Sequence, residues 1–205
     1  WLDKSGKARH ATQTVDANRP TISSTDVFNK QQYLTFGDPK YLDIPTAAFM
    51  AGSNYCVIAA VSRQSARGAW LGGTGISNQV TSGWVGISGT TYDFSQGTVS
   101  TQGIVSAYSG NNTPTIVCMT HSSTLGKVLY INGTAVATST DLTNLSAFDL
   151  PTIGKSVTSS SFFTGAIGEL VFLNNVPTQI VRQCLEGYMA WKHTGVGSAL
   201  PSTHP

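Results

Sequence analysis

Ten carboxylates are available for chemistry: eight aspartates and two glutamates, Glu169 and Glu186. Cleaving a glycosidic bond with retention takes two carboxyl groups ~5–5.5 Å apart. On a strand that means acids at alternate positions, which share a face. No two acids in this chain stand two apart, and no Glu-x-Asp-x-x-Glu cluster occurs. We therefore expect no catalysis by paired carboxylates. Glu169, at the start of a strand, and Glu186, on a helix flank, read as structural hydrogen-bonding groups or solvated charges.

The other reactive types are equally dispersed. A zinc site wants clustered His, Cys or carboxylate ligands, but His10, His121, His193 and His204 each stand alone in the sequence. Cys118 and His121 are three apart on one strand, hence on opposite faces, which makes them a poor nucleophile pair. No Gly-x-Ser-x-Gly occurs, and Gly72-Gly73-Thr74-Gly75 lacks the Lys and the following helix of a phosphate loop. We expect neither a metal nor an organic cofactor. Calcium is the one ion the residues leave room for, through loop oxygens at Asp93, Asp141 or Asp149. None of these has the Asp/Asn density of a dedicated site.

Binding is better provided for. A sugar's apolar face stacks on an aromatic ring while amides and hydroxyls bond its rim. Trp70, Trp84, Tyr92 and Tyr108 lie in or beside a Gly/Ser/Thr-rich middle, with Asn78, Gln79, Gln96, Asn111 and Asn112 nearby. Trp84 and Tyr108 fall in strands and read as core. Trp70, between Arg67-Gly68 and Gly72-Gly73, is the exposed candidate. The expected ligand contacts are Trp70, Asn78, Gln79, Tyr92, Asn111 and Asn112.

These residues must be positioned mostly by strands. Short runs rich in Val, Ile, Thr and aromatics predict strands at 33–36, 56–61, 83–87, 103–108, 115–121, 127–131, 134–138, 151–153 and 166–173. Asn132-Gly133 suits a tight hairpin turn between two of them. The Gly/Ser/Thr-rich segments 62–82 and 88–101 predict long loops with a strand or two. One segment breaks the pattern. Ile180, Val181, Cys184, Leu185, Tyr188 and Trp191 recur at steps of three and four, which predicts a helix over 177–193 with that stripe buried. Pro177 suits its first turn, and Gly195 its stop.

Composition narrows the class. The chain has 205 residues, enough for one domain, with only 11% charged against ~25% usually. A net charge of +2 gives no electrostatic case for nucleic acid. No apolar run nears the ~18 residues of a membrane span, so no membrane insertion is expected. The three cysteines, Cys56, Cys118 and Cys184, sit in apolar or helical runs and read as buried free thiols. Starting at Trp1 without a basic and apolar leader, the chain reads as a processed product or a piece of something longer.

The two ends carry a resemblance. Phe163-Thr164-Gly165-Ala166-Ile167-Gly168-Glu169-Leu170-Val171-Phe172 is followed by Glu186-Gly187-Tyr188-Met189-Ala190-Trp191-Lys192 and Leu200-Pro201-Ser202-Thr203-His204-Pro205. This is similar to the closing segment of the concanavalin A-like, laminin G-like jelly-roll family. Trp1-Leu2-Asp3-Lys4-Ser5-Gly6 through Gln13, then Asn18-Arg19-Pro20, resembles its opening, and Tyr130-Ile131-Asn132-Gly133 its middle hairpin. The resemblance implies a single all-β jelly-roll β-sandwich over 1–205 with one C-terminal helix. It implies core positions for Trp1, Tyr188 and Trp191, and a packing or hydrogen-bonding role for His204. The family's opening strand has no counterpart here; it is either missing, leaving a sheet edge open, or supplied by a neighbouring domain.

Such modules occur in phage tail and other virion proteins and in bacterial surface proteins. The expectation is a non-catalytic lectin-like binding or assembly module at a virion surface or otherwise extracellular. Its partners would be copies of itself, as a trimer, dimer or surface-bound array, other virion proteins, and cell-surface glycan. A secreted bacterial carbohydrate-binding module is the alternative, and a glycoside hydrolase a remote one.

Overall fold

The computed structural model describes residues 1–24, 28–45, 54–63, 67–74, 84–88, 91–95, 104–107, 113–142, 149–155, 162–194, 200–202 and 204, with side chains for these outside 63–107 and 149–151. Thirteen strands, one short 3-10 helix (Asp16–Asn18) and one α-helix are described: β1 (Thr21–Ser23), β2 (Tyr33–Phe36), β3 (Leu42–Asp43), β4 (Asn54–Arg63), β5 (Arg67–Thr74), β6 (Trp84–Ser88), β7 (Thr91–Ser95), β8 (Ile104–Ala107), β9 (Thr115–Ser122), β10 (Gly126–Ile131), β11 (Thr134–Ser139), β12 (Asp149–Ile153), β13 (Gly165–Leu173) and α1 (Gln179–Thr194). They form an antiparallel sandwich. One sheet has the order β1-β2-β13-β4-β9-β10-β11, the other β3-β12-β5-β6-β7-β8.

The seven-stranded sheet is apolar on both faces, which explains the nearly continuous apolar runs of β4 and β9. Tyr55, Val57, Ala59, Val61, Val117, Met119 and Leu129 meet Leu42 and Ile153 of the second sheet in one core. Cys56, Ile58, Ala60, Ile116 and Cys118 alternate with them onto the opposite face, where Met189 and Ala190 of α1 cover them. In the six-stranded sheet, Leu42, Ile153, Leu71, Val85, Phe94 and Ile104 stand opposite one another in a single row. The hairpin expected at Asn132-Gly133 joins β10 to β11, and both residues take positive φ.

A bulge in β13 sets the outer face. The pairing with β4 slips between Ile167 and Glu169, so Ile167 stands opposite Val61 but Glu169 opposite Ala60. The extra residue reverses the alternation. Glu169 is thereby turned away from the core between the sheets and toward α1. The extra residue is Gly168, where a Cβ would come within 2.8 Å of the His193 ring.

The helix lies where periodicity places it, with the other face inward. The helix begins at Gln179, so Pro177 precedes it rather than lying in its first turn, and Thr178 caps it, accepting the Val181 N–H at 3.4 Å. Its buried residues are Arg182, Glu186, Met189, Ala190 and His193. The stripe expected to be buried is largely outside: Ile180 is 70% exposed, Val181 48%, Tyr188 47% and Trp191 74%. Only Leu185 packs partly against the core. The expectations of a core Tyr188, a core Trp191 and a buried Cys184 are therefore corrected; Cys184 is exposed. The reason is charge pairing, which lets polar residues occupy the inner face. Trp1 is corrected likewise. It is 38% exposed, and its ammonium and carbonyl groups bond to the backbone of Ala11.

Candidate functional site

Two carboxylate networks fasten the outer layer. Glu186 is fully buried; Arg182 Nη1 donates to its Oε2 at 2.6 Å, and His204 Nε2 lies 3.0 Å from the same oxygen. The Arg182 guanidinium also stacks 3.8 Å from the Tyr130 ring centre. At Gly133 a Cβ would run into the His204 ring. The terminal segment thus docks on the β10–β11 turn. Glu169 receives Lys192 Nζ at 2.8 Å and has His193 Nε2 at 3.1 Å. The His193 hydrogen bond first, then Lys192, hold its carboxyl at about 2, against the opposing effect of burial. Glu169 stands in the middle of β13 rather than at its start, Glu186 lies on the buried face of α1 rather than its flank, and each is paired with a cation.

A second polar group is sealed inside. Tyr55, His121 and Lys127 stand in register across β4, β9 and β10. Tyr55 stacks on His121 at 5.2 Å, and Lys127 donates to Asp141 at 2.7 Å. All of them except Asp141 are almost fully buried, so no ligand reaches this row. Asp141, one of the aspartates considered for calcium, is occupied by Lys127. Cys56 and Cys118 approach to 3.7 Å between their sulfurs. Burial, then the hydrogen bond to Cys56, push the Cys118 thiol well up, which leaves it unreactive.

At the opening turn, Asp3 accepts hydrogen bonds from Ser5 and from the Arg9 N–H, which hold its carboxyl at about 2. The Asp-x-Ser-Gly stretch is thus a turn motif, with no ligand needed to explain it.

An accessible group remains at the β3 edge of the six-stranded sheet. Tyr41 and Phe162 are half-buried rings 6.4 Å apart and inclined at 44°. Lys155 Nζ lies 4.6 Å from the Tyr41 centre and 5.6 Å from that of Phe162. Asp43 is exposed beside them. Partial burial raises its carboxyl above the ordinary value, while the Lys155 charge works the other way. Strand pairing brings these distant positions together: Thr152 stands opposite Asp43 and Ile153 opposite Leu42. A bridge joins Lys155 to Phe162, and Thr152 Oγ1 donates to the Lys155 carbonyl at 2.7 Å. The Tyr41 backbone is fixed by the Asn18 carbonyl at 2.9 Å and the Gln13 amide at 3.3 Å. Two rings, a donor and an acceptor on one rigid edge can stack on a pyranose face and bond its hydroxyls.

Of the expected ligand residues, only Trp70 and Tyr92 lie in described strands. Trp70 stands in β5 beside β12, at a slip in register between Ala69 and Leu71. Tyr92 is in β7, opposite Ile87 and Ser106. Asn78, Gln79, Asn111 and Asn112 lie outside the described residues, as do Gln96, Tyr108 and the Trp84 side chain. The aromatic pair at Tyr41 and Phe162 carried no sequence signal, because strand pairing alone makes them neighbours. Among the described residues no three His, Cys, Asp or Glu side chains gather as a metal site would need.

The fold has known counterparts. A botulinum neurotoxin type C structure, from a toxin whose cell entry depends on interaction with two ganglioside molecules, matches at TM-score 0.65 and 12% identity, over 92% of this chain and 48% of that one. Domains LG4-5 of the mouse laminin alpha1 chain match at TM-score 0.57 and 15% identity, over 69% and 40%. Domain 4 of an extracellular arabinanase from Geobacillus stearothermophilus, in complex with arabinotriose, matches at 0.59 and 12%, over 78% and 77%. The chain thus spans about half the length of the toxin chain. At these identities the likeness carries the fold alone. No curated protein sequence matches. The family model Laminin_G_3, described as the concanavalin A-like lectin/glucanases superfamily, matches residues 36–179. With more than half of its length so matched, the chain belongs to the Laminin_G_3 family of concanavalin A-like jelly-roll domains.

Proposed function

We propose that residues 1–205 form a single non-catalytic, lectin-like binding and assembly module of an extracellular particle, which holds glycan at the Tyr41–Phe162 edge. The setting we favour is a phage virion, where a tail, fibre or capsid-decoration protein meets host-surface glycan and neighbouring subunits. The carrying observation is the accessible pair of rings with Lys155 and Asp43 at their rim. Trp70, on the strand next to β12, is a further proposed contact. The absence of paired acids in the sequence supports a binding role over hydrolysis. A secreted bacterial carbohydrate-binding module is the second reading, favoured by the match over most of an arabinanase domain.

The test is a panel of soluble glycans and polysaccharides titrated against the intact chain and a Tyr41→Ala, Phe162→Ala variant. We expect saturable binding, weakened at least about tenfold in the variant, in keeping with the loss of aromatic anchors, and no new reducing ends. Binding untouched by the double change would overturn the site. Release of reducing ends that stops in Glu169→Gln would overturn the non-catalytic reading.

A further inference from the structure

The outer face of α1 is largely apolar, with the Tyr188 hydroxyl and Lys192, 2.8 Å apart, at its margin. Ile180, Cys184, Tyr188 and Trp191 follow one another at steps of four, four and three, with Val181 alongside, and all five are exposed. No charged residue belongs to this stripe. Arg182, Glu186 and His193 point inward, and Lys192 is drawn to Glu169. A helix built to lie on a membrane has the reverse design, with its cationic face in water and its apolar face in lipid. Here the charged face is already consumed inside the protein. A charged partner would meet only the Lys192–Glu169 pair at the margin of the stripe, already bonded to each other.

The area matches a second copy of the same face. Taking roughly 150–250 Å² for a large side chain, the exposed fractions of Ile180, Val181, Tyr188 and Trp191 leave about 500 Å² of bare apolar surface. That is at the upper end for the largest patch on an ordinary monomer. Two such faces together give about 1,000 Å², the threshold of a specific interface, before flanking residues add to it.

The stripe is also built to meet itself. Ile180 and Trp191 lie at its two ends, and the small residues Cys184 and Gly187 lie between them. A two-fold axis passing between Cys184 and Gly187 would lay two α1 helices antiparallel. Each Trp191 would then cover the partner's Ile180, and the small centres would permit close approach. Antiparallel helices oppose their dipoles favourably, and no like charges meet at the axis. Gly187, a poor residue for the middle of a helix, acquires a role in this arrangement.

We propose that α1 is a homodimer seam, on which a second copy of this chain seats its own α1 antiparallel. Cys184 gives a direct test, because it is the exposed thiol while Cys56 and Cys118 are buried. Sedimentation of the intact protein at micromolar concentration should give twice the chain mass, and a short bismaleimide should link the two copies. Cys184→Ser should abolish the link and leave the mass unchanged. Ile180→Asp with Trp191→Asp should halve the mass and remove the concentration dependence of the melting temperature, with circular dichroism preserved and glycan binding at Tyr41 and Phe162 retained. A monomer at all concentrations, a dimer that survives the double aspartate variant, or a dimer not linked through Cys184 would each overturn the seam. None of these results bears on the glycan site.

Discussion

Glu169 shows how one residue carries both stability and its dependence on pH. Its folded value of about 2 lies below the ordinary 4.5, held there by the His193 hydrogen bond and then by Lys192. A carboxyl depressed on folding stabilises above its unfolded value, and that stabilisation is lost as pH falls through the folded one. The Lys192 ammonium is raised in turn: its own burial opposes this, and the bonds to Glu169 and Tyr188 outweigh it. Glu169 is three-quarters buried in its side chain, so about 2 kcal/mol is a fair scale for the effect after screening. We predict that Glu169→Gln melts below the parent at pH 7, that the gap closes between pH 4.5 and 2, and that the two coincide near pH 2. Parallel melting curves across that range would contradict the assignment. Glu186 works differently. It is sealed with Arg182 and His204, and removing it would strand two basic groups in the interior.

At the scale of the element, α1 separates what a sequence reveals from what it hides. Met189 is fully buried against the β4–β9 face, whereas Trp191 is mostly in water. Met189→Ala should cost about 2–5 kcal/mol, while Trp191→Ala should change the unfolding free energy of the monomer by no more than about 1 kcal/mol. Chemical denaturation of both variants, in a dilute monomeric sample, checks this. Equal losses would mean the helix is turned the other way. The extent of the helix was legible, because the three- and four-residue spacing reflects its pitch. Its inner face was not. Arg182, Glu186 and His193 are buried through partners at Glu169 and His204, which no local pattern connects to them.

Strands follow the same rule. The nine runs predicted from β-branched and aromatic residues correspond to β2, β4, β6 and β8 through β13, with ends shifted by a few residues. Missing from those runs are β1 and β3, with three and two residues each. So are β5 and β7, which fall in the Gly/Ser/Thr-rich segments 62–82 and 88–101, where the sequence predicts a strand or two among long loops without placing them. The β3 omission matters most, since its pairing with β12 is what assembles the candidate site. Tyr41 and Phe162 belong to different ends of the chain, and periodicity contains no information on which strands become neighbours.

On the scale of the whole molecule, the seven-stranded sheet is covered on both faces, by the second sheet on one side and by α1 on the other. The edge strands are β1 and β11 in one sheet and β3 and β8 in the other, with Thr12 bridging to Asp43 along part of β3. Among the described residues no helix is long and apolar enough to cross a membrane. Among the described residues the layered construction leaves two accessible surfaces with different chemistry: an aromatic and polar edge at β3 and β12, and a largely apolar helix face. We assign them to different tasks, glycan at the edge and another copy at the helix, and the first is the central claim. Hydrogen–deuterium exchange of the intact chain, with and without the tightest-binding glycan of the panel, tests it most directly. The account predicts slowed exchange at 41–43, 152–155 and 162–163, with α1 unchanged. Protection confined to other segments, or no glycan that binds at all, would contradict it.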